Sequence, residues 1–188
     1  MTIHKFINPK TNAYKTFKEH VLSIQFSWYY YKNISPDMFN IGGDKYTNID
    51  AYHHSFLARP GPPKPFPFVN TSPEEMDLVE HVLKEIFQCN HTTLNCLYRI
   101  SANCTYPIKE DKGAFPHIDH SFPHKNLIIY LNDPAGGDTV LVDKDYKEID
   151  RHHPKEDDII SFEGIHYQKM PKEDRRIVLV VTYILWQT

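Results

Sequence analysis

The chain has 188 residues, enough for one domain with a sizeable core. Its formal net charge of −3 offers no general attraction to nucleic acid or to an anionic membrane surface. The longest apolar run, Ile177 to Trp186, is too short to span a bilayer and is interrupted by Thr182, so no membrane association is expected. Cys89, Cys96 and Cys104 are odd in number and lack Cys-x-x-Cys spacing, which argues against a disulfide framework and against a thiolate zinc site. With no apolar leader after Met1, a reducing compartment, the cytoplasm, is the expected location.

In chain order, Asn12 to Phe26 reads as a helix, with Phe17, Val21 and Ile24 at helical spacing and Lys15, Lys18 and Glu19 on the other side. The aromatic run Phe26–Tyr31 has one neighbouring lysine, Lys32, and no basic stripe, so core or strand packing is expected rather than base stacking. Asn33 to Asn48 is turn-rich, and Tyr52 to Leu57 reads as a strand on which the side chains of His53 and His54 diverge. Arg59 to Val69 holds five prolines, too many for a helix or a central strand; it reads as a surface or polyproline segment, or as a lid. Ser72-Pro73-Glu74-Glu75 carries a helix start, with Ser72 as N-cap, Pro73 in the first turn and Glu75 closing a capping box. Met76, Val79, Leu83 and Ile86 then form one apolar face.

From Leu94 the apolar period changes to two, and strands are expected over Leu127–Leu131, Thr139–Val142, Ile159–Phe162 and Ile177–Trp186. Helices in the first half and strands in the second indicate one α+β or helix-flanked, mainly β domain over 1–188. The helical support falls mainly in 10–90 and the strands mainly in 94–186.

Chemistry concentrates in the strand-rich half. His117-Ile118-Asp119 places an imidazole and a carboxylate two residues apart, on one side of an extended backbone, where a single ion can take both. His166 follows the turn Glu163-Gly164 and can supply a second imidazole. Two histidines and a carboxylate that leave coordination positions open form the facial set of non-haem iron sites. Alternation along the last strand puts Arg176, Val178, Val180 and Thr182 on one face and Arg175, Ile177, Leu179, Val181 and Tyr183 on the other. One of the two arginines must therefore point into an apolar interior, a costly placement unless an anion waits there.

These features together resemble the 2-oxoglutarate/Fe(II)-dependent oxygenases, and within them the prolyl-4-hydroxylase-like branch. The carrying residues are His117-Ile118-Asp119, Ile129-Tyr130-Leu131-Asn132 with Gly136-Gly137, Phe162-Glu163-Gly164 before His166, and Arg176 opening the last strand. A looser resemblance links Phe26–Tyr31 and Tyr98–Asn103 to small viral, phage-type members, for which the location would be the host cytoplasm. The resemblance implies a double-stranded β-helix, a jelly-roll or cupin-like barrel, with the N-terminal helices packed on one side. It implies that His117, Asp119 and His166 bind Fe(II), and that Arg176 and Tyr130 bind the distal carboxylate of 2-oxoglutarate with help from Asn103. It further implies oxidative decarboxylation of 2-oxoglutarate to succinate and CO2, with O2 hydroxylating a C–H bond of a peptide or protein, best a prolyl residue, and ascorbate as reductant.

The neighbours have plainer readings. His120 is out of register with His117 and Asp119 and should face away; His152-His153-Pro154 reads as a solvated turn; Arg99 reads as the partner of an acidic surface residue before it reads as a contact for a substrate anion. Two other functions stay open at this stage. One is a metal-holding, cupin-like binding protein without turnover. The other is a zinc hydrolase, which would need a general base near the metal and lacks a His-Glu-x-x-His helix.

Overall fold

A computed structural model describes residues 1–35, 37–41, 44–59 and 71–185. Gly42 and Gly43, the proline-rich segment over 60–70 and Trp186 lie outside the described residues. The elements in order are β1 (His4–Phe6), α1 (Asn12–Leu22), β2 (Tyr29–Tyr31), β3 (Tyr46–Thr47), β4 (Ala51–Leu57), α2 (Pro73–Cys89), β5 (Leu94–Thr105), β6 (Gly113–Ala114), β7 (Lys125–Tyr130), β8 (Thr139–Val142), β9 (Glu148–His152), β10 (Ile159–Phe162), β11 (His166–Gln168) and β12 (Arg176–Leu185).

Both helices start where their caps dictate. Thr11 Oγ1 accepts from the Tyr14 N–H at the head of α1. At the head of α2, Ser72 Oγ accepts from the Glu75 N–H while Glu75 Oε2 accepts from the Ser72 N–H. Such a cap contributes about 1 kcal/mol. The first helix ends earlier than its apolar period suggests. The chain turns extended at Ser23, Ile24 is fully exposed instead of joining the buried face, and Phe26 folds back onto His20 and Phe56. The aromatic run divides accordingly: Phe26 is buried, but Tyr29, Tyr30 and Tyr31 form the outermost strand of the sheet, 43%, 59% and 52% exposed.

Seven strands form one sheet in the order β1-β10-β7-β12-β5-β4-β2, with every neighbouring pair antiparallel. A second sheet has the order β11-β8-β9, and β3 pairs in parallel with β6. From β7 onward the chain alternates between the two larger sheets: β7 in the first, β8 and β9 in the second, β10 back in the first, β11 in the second and β12 in the first. That winding is the jelly-roll arrangement; the large sheet stays open at β1 and β2.

The central strands are apolar on both faces because both are covered. On one face Leu127, Ile129, Leu179 and Val181 pack against Phe17, Val21, Val79, Leu83 and Ile86 of the helices. On the other face Ile128, Tyr130, Ile160, Phe162 and Val178 meet Leu141 of the second sheet. Each such fully buried side chain contributes roughly 1.5–3 kcal/mol. A register slip breaks the alternation expected along β5: Thr182 pairs with Arg99 but Tyr183 pairs with Leu97, leaving Tyr98 unpaired. Leu97 thereby joins the helix-side core, and Arg99, Ser101 and Asn103 keep to the inner face, opposite Thr182, Val180 and Val178. Among the described residues, no helix is long and apolar enough to cross a membrane. All three cysteines are free.

Candidate metal centre

The three residues expected to ligate a metal come together. His117 and His166 face each other in an antiparallel bridge, the His117 N–H donating to the His166 carbonyl at 2.9 Å and the reverse bond measuring 3.1 Å. Long-range pairing thus supplies what sequence distance concealed, an imidazole from β11 beside one that precedes β7. Their ring centroids lie 4.5 Å apart, and His166 Nε2 is 3.5 Å from Asp119 Oδ2. One ligand atom from each of the three residues falls within 4.8 Å of the other two. Each histidine donates its Nδ1–H to a carbonyl two residues back, His117 to Phe115 at 3.0 Å and His166 to Gly164 at 3.1 Å. Those bonds fix the tautomer and leave both Nε2 lone pairs aimed at the shared centre.

Burial and the neighbouring His117 push the His166 imidazole down to about 4, which keeps it neutral and able to ligate. Burial alone would raise the Asp119 carboxyl, but Arg99, the two histidines and Arg59 overcome it and hold the group well below the usual carboxylate range. Arg99 is therefore no partner of a surface acid. Its Nη1 donates to Asp119 Oδ1 at 2.8 Å, and Arg59 Nη2 donates to the same oxygen at 2.9 Å. Oδ1 is occupied and Oδ2 is turned toward the histidines, a single-oxygen donor for a metal. The geometry and donor chemistry fit Fe(II): two imidazoles with free Nε2 atoms and one carboxylate oxygen, brought together by β11 and the segment before β7, as the three-ligand facial set requires.

A second polar group lies on the same inner face. Arg176 is 2% exposed, and its Nε donates to the Gly137 carbonyl at 2.9 Å, its Nη1 to Gln168 Oε1 at 2.8 Å and its Nη2 to Thr139 Oγ1 at 3.2 Å. The Tyr130 hydroxyl and Thr139 Oγ1 are 2.7 Å apart, and the Arg176 guanidinium lies 5.2 Å from the Tyr130 ring centroid. Gly137 explains the paired glycines of the sequence. It has φ +76°, and a Cβ there would stand 2.9 Å from Arg176 Cδ, in the path of the arginine. All acceptors around this guanidinium are neutral; among the described residues no carboxylate forms an ion pair with it. Two polar atoms beside it are buried without a partner, Gln168 Nε2 and the hydroxyl of Thr105, the residue paired with Arg176 across β5 and β12. A buried cation beside unfilled polar groups can receive an anion.

Sequence reasoning missed Gln168, Thr139 and Thr105. Gln168 had a readable signal, since it follows His166 by two on one strand and shares its face. Asn103 is on the inner face too, but it pairs with Val178, one step along from Arg176, and its Oδ1 already accepts from His53 Nδ1 at 2.7 Å. His120 stays out of the ligand set, as expected, stacked on Phe122 at 5.0 Å and edge-on to Tyr98. His152 departs from the solvated-turn reading: it ends β9 at 4% exposure, against the Tyr130 ring and 3.1 Å from Asp158, and only His153 is exposed. Tyr183 faces the helices and bonds Ser161, outside the site. A surface groove of about 620 Å³ between α2 and the start of β5 is lined by none of the three candidate ligands.

Comparison with solved structures decides what architecture this is. A 2OG-Fe(II) oxygenase family oxidoreductase from Burkholderia pseudomallei superposes with a TM-score of 0.65 at 15% identity, over 93% of this chain and 82% of that one. The chain has the fold of the 2-oxoglutarate/Fe(II) oxygenases. A prolyl hydroxylase from Trichoplax adhaerens, solved in complex with a peptide fragment of the hypoxia inducible factor oxygen degradation domain, shares that fold at TM-score 0.59 and 11% identity, over 97% and 83% of the two chains. So does SnoN, a non-heme alpha ketoglutarate dependent epimerase from nogalamycin biosynthesis, at TM-score 0.57 and 9% identity, over 97% and 77%. No family model matches the chain, and no curated protein does.

Proposed function

We propose that this protein is an Fe(II)- and 2-oxoglutarate-dependent dioxygenase that hydroxylates a C–H bond, with a prolyl residue of a peptide or protein as substrate and succinate and CO2 as co-products. The observation that carries the reading is the pairing of two features on one inner face: the His117–Asp119–His166 set and a buried arginine that lacks a carboxylate. Either alone has other uses; a metal-storing or ligand-sensing barrel needs no unsatisfied cation beside its metal. His117, Asp119 and His166 hold the iron, and Arg176, Tyr130 and Gln168 hold the distal carboxylate of 2-oxoglutarate, with Thr105 and Asn103 on the strand beside them. When bound, iron and 2-oxoglutarate supply the O2-activating oxidation, and the chain supplies what surrounds it. Arg99 keeps Asp119 ionised and turned to one oxygen. The apolar wall of Ile128, Ile160, Phe162 and Val178 excludes water from the cosubstrate end. The prolyl assignment is supported by the sequence resemblance and by the peptide-bound structural relative, while the epimerase relative shows that this fold also serves other chemistry.

The test is succinate formation from 2-oxoglutarate by the Fe(II)-loaded protein under air, with and without proline-containing peptides. Wild-type protein should form succinate, faster when the peptide is present, and His117→Ala should form none. Succinate formation by wild type no faster than by His117→Ala would defeat the proposal.

A further inference from the structure

Two guanidinium groups converge on one carboxylate oxygen at the metal centre, which is more positive charge than the centre needs. Arg99 is fixed: besides Asp119 it reaches Ser101 Oγ with both Nε and Nη2 at 3.3 Å, and its side chain is 13% exposed. Arg59 is different. Its bond to Asp119 is its one hydrogen bond among the described residues, and its side chain is 47% exposed. Asp119 is the single carboxylate among the groups that act most strongly on it; the others are Arg99, Tyr31 and Tyr98.

Loading the site does not remove the excess. A divalent ion and the two carboxylates of 2-oxoglutarate offset each other, and Arg176 and Asp119 do the same. Arg99 and Arg59 then remain without a counter-charge. The chain as a whole is acidic, so this excess is local. A metal on Asp119 Oδ2 also draws charge from the carboxylate and loosens its hold on the more exposed arginine. Nearby, His120 Nε2 is buried and has no hydrogen-bond partner, a second sign that a polar ligand belongs beside the guanidinium pair.

We infer that the substrate carries a carboxylate, and that Arg59 receives it next to Asp119, an inference that rests on the oxygenase reading above. Arg99 is the positioning residue that keeps hold of Asp119, and Arg59 is the substrate-binding residue that exchanges Asp119 for the incoming anion. The carboxylate comes either from an acidic side chain near the reacting residue of a peptide or from the chain end of a free acid.

Two matched pairs of probes separate these sources. Acetyl-Gly-Pro-Glu-amide and acetyl-Gly-Pro-Gln-amide differ only in a side-chain carboxylate, and N-acetylproline and N-acetylprolinamide differ only in a terminal one. Their affinities are measured by the relaxation of probe protons in protein loaded with 2-oxoglutarate and Mn(II), which fills such a site without turnover. Electron paramagnetic resonance of the same samples reports Mn(II) occupancy. In at least one pair the acid should bind about tenfold tighter than its amide, as for a charge-assisted bond. That preference should disappear in Arg59→Gln, persist in Arg59→Lys and be unchanged in Lys84→Gln, on the exposed side of α2. Loaded wild-type protein without preference in either pair, whether by equal binding or by none, overturns the inference alone. A preference that survives Arg59→Gln removes Arg59 from it. Wild-type protein that takes up no Mn(II) defeats the oxygenase reading and this inference with it.

Discussion

Arg176 and Arg59 stand at the two ends of the proposed site under opposite conditions. Arg176 is buried in a pocket of three fixed neutral acceptors, under a glycine that leaves it room, on the first residue of a central strand. Arg59 follows an outer strand, is half exposed, and has Asp119 as its hydrogen-bond partner. A cation held rigidly in low dielectric selects one anion of fixed shape, because the cost of burying it is offset only when that anion binds. A cation at the solvent boundary costs little to hold and can change partners. On the proposed reading, the contrast separates a cosubstrate end, built for one molecule, from a substrate end, built to be adapted.

The sharpest way to break the contrast is at its buried end. Arg176→Ala should weaken 2-oxoglutarate binding about 100-fold, the loss of about 2.7 kcal/mol expected for a paired, charge-assisted contact in a buried site. Isothermal titration of the Mn(II)-loaded protein measures it; a change of less than about threefold would mean that the pocket receives no carboxylate. At the boundary the effect should be smaller and of another kind. Arg99→Gln removes the fixed partner of Asp119 Oδ1, and Fe(II) affinity should fall about tenfold, as for other groups that orient a metal ligand. The 2-oxoglutarate affinity measured at saturating metal should stay within about twofold. Equal losses in both would show that the two ends do not act separately.

The smallest effect comes from a charge cluster whose side-chain partners belong to neither end, and it serves as their control. Asp157 binds Tyr14 at 2.7 Å, Lys18 at 2.6 Å and Lys10 at 3.0 Å. Burial pushes its carboxyl up, but these partners prevail and its folded pKa is lowered. A group with a depressed folded pKa contributes stability above its unfolded pKa of about 4, and that contribution fades as pH falls through the lower folded value. Asp157→Asn should therefore cost less than about 1 kcal/mol at pH ~7 and progressively less toward pH ~3. Asn tolerates the left-handed backbone at this position, φ 68°, so the variant isolates the charge. Urea denaturation at the two pH values checks the sign; a gap that widens in acid would contradict it.

Local chemistry made much of the cosubstrate end legible in the sequence. The apolar runs of β7 and β12 announce strands covered on both faces, alternation sets Arg176 apart from Arg175, and His117 and Asp119 share a side by spacing alone. Ser72 and Glu75 mark the helix that covers the other face. The boundary end resisted reading because it depends on contacts distant in sequence and on irregular backbone. Arg59 and Arg99 reach Asp119 from 60 and 20 residues away. The slip at Tyr98 changes which side chains of β5 face inward, and nothing in a regular two-residue period anticipates it. His152 looked like a turn residue because β9, a strand of mostly polar residues, carries no apolar alternation.

The central claim is that the histidine–aspartate set and the buried arginine work as one site. Anaerobic titration of the metal-free protein with Fe(II) and 2-oxoglutarate tests it most directly, through the visible charge-transfer band that arises only when the 2-oxo acid chelates the iron. The band should appear in the wild type and be absent in both His117→Ala and Arg176→Ala at the same ligand concentrations. Fe(II) that binds without producing the band when 2-oxoglutarate is added would contradict the account and favour a metal-holding barrel without turnover.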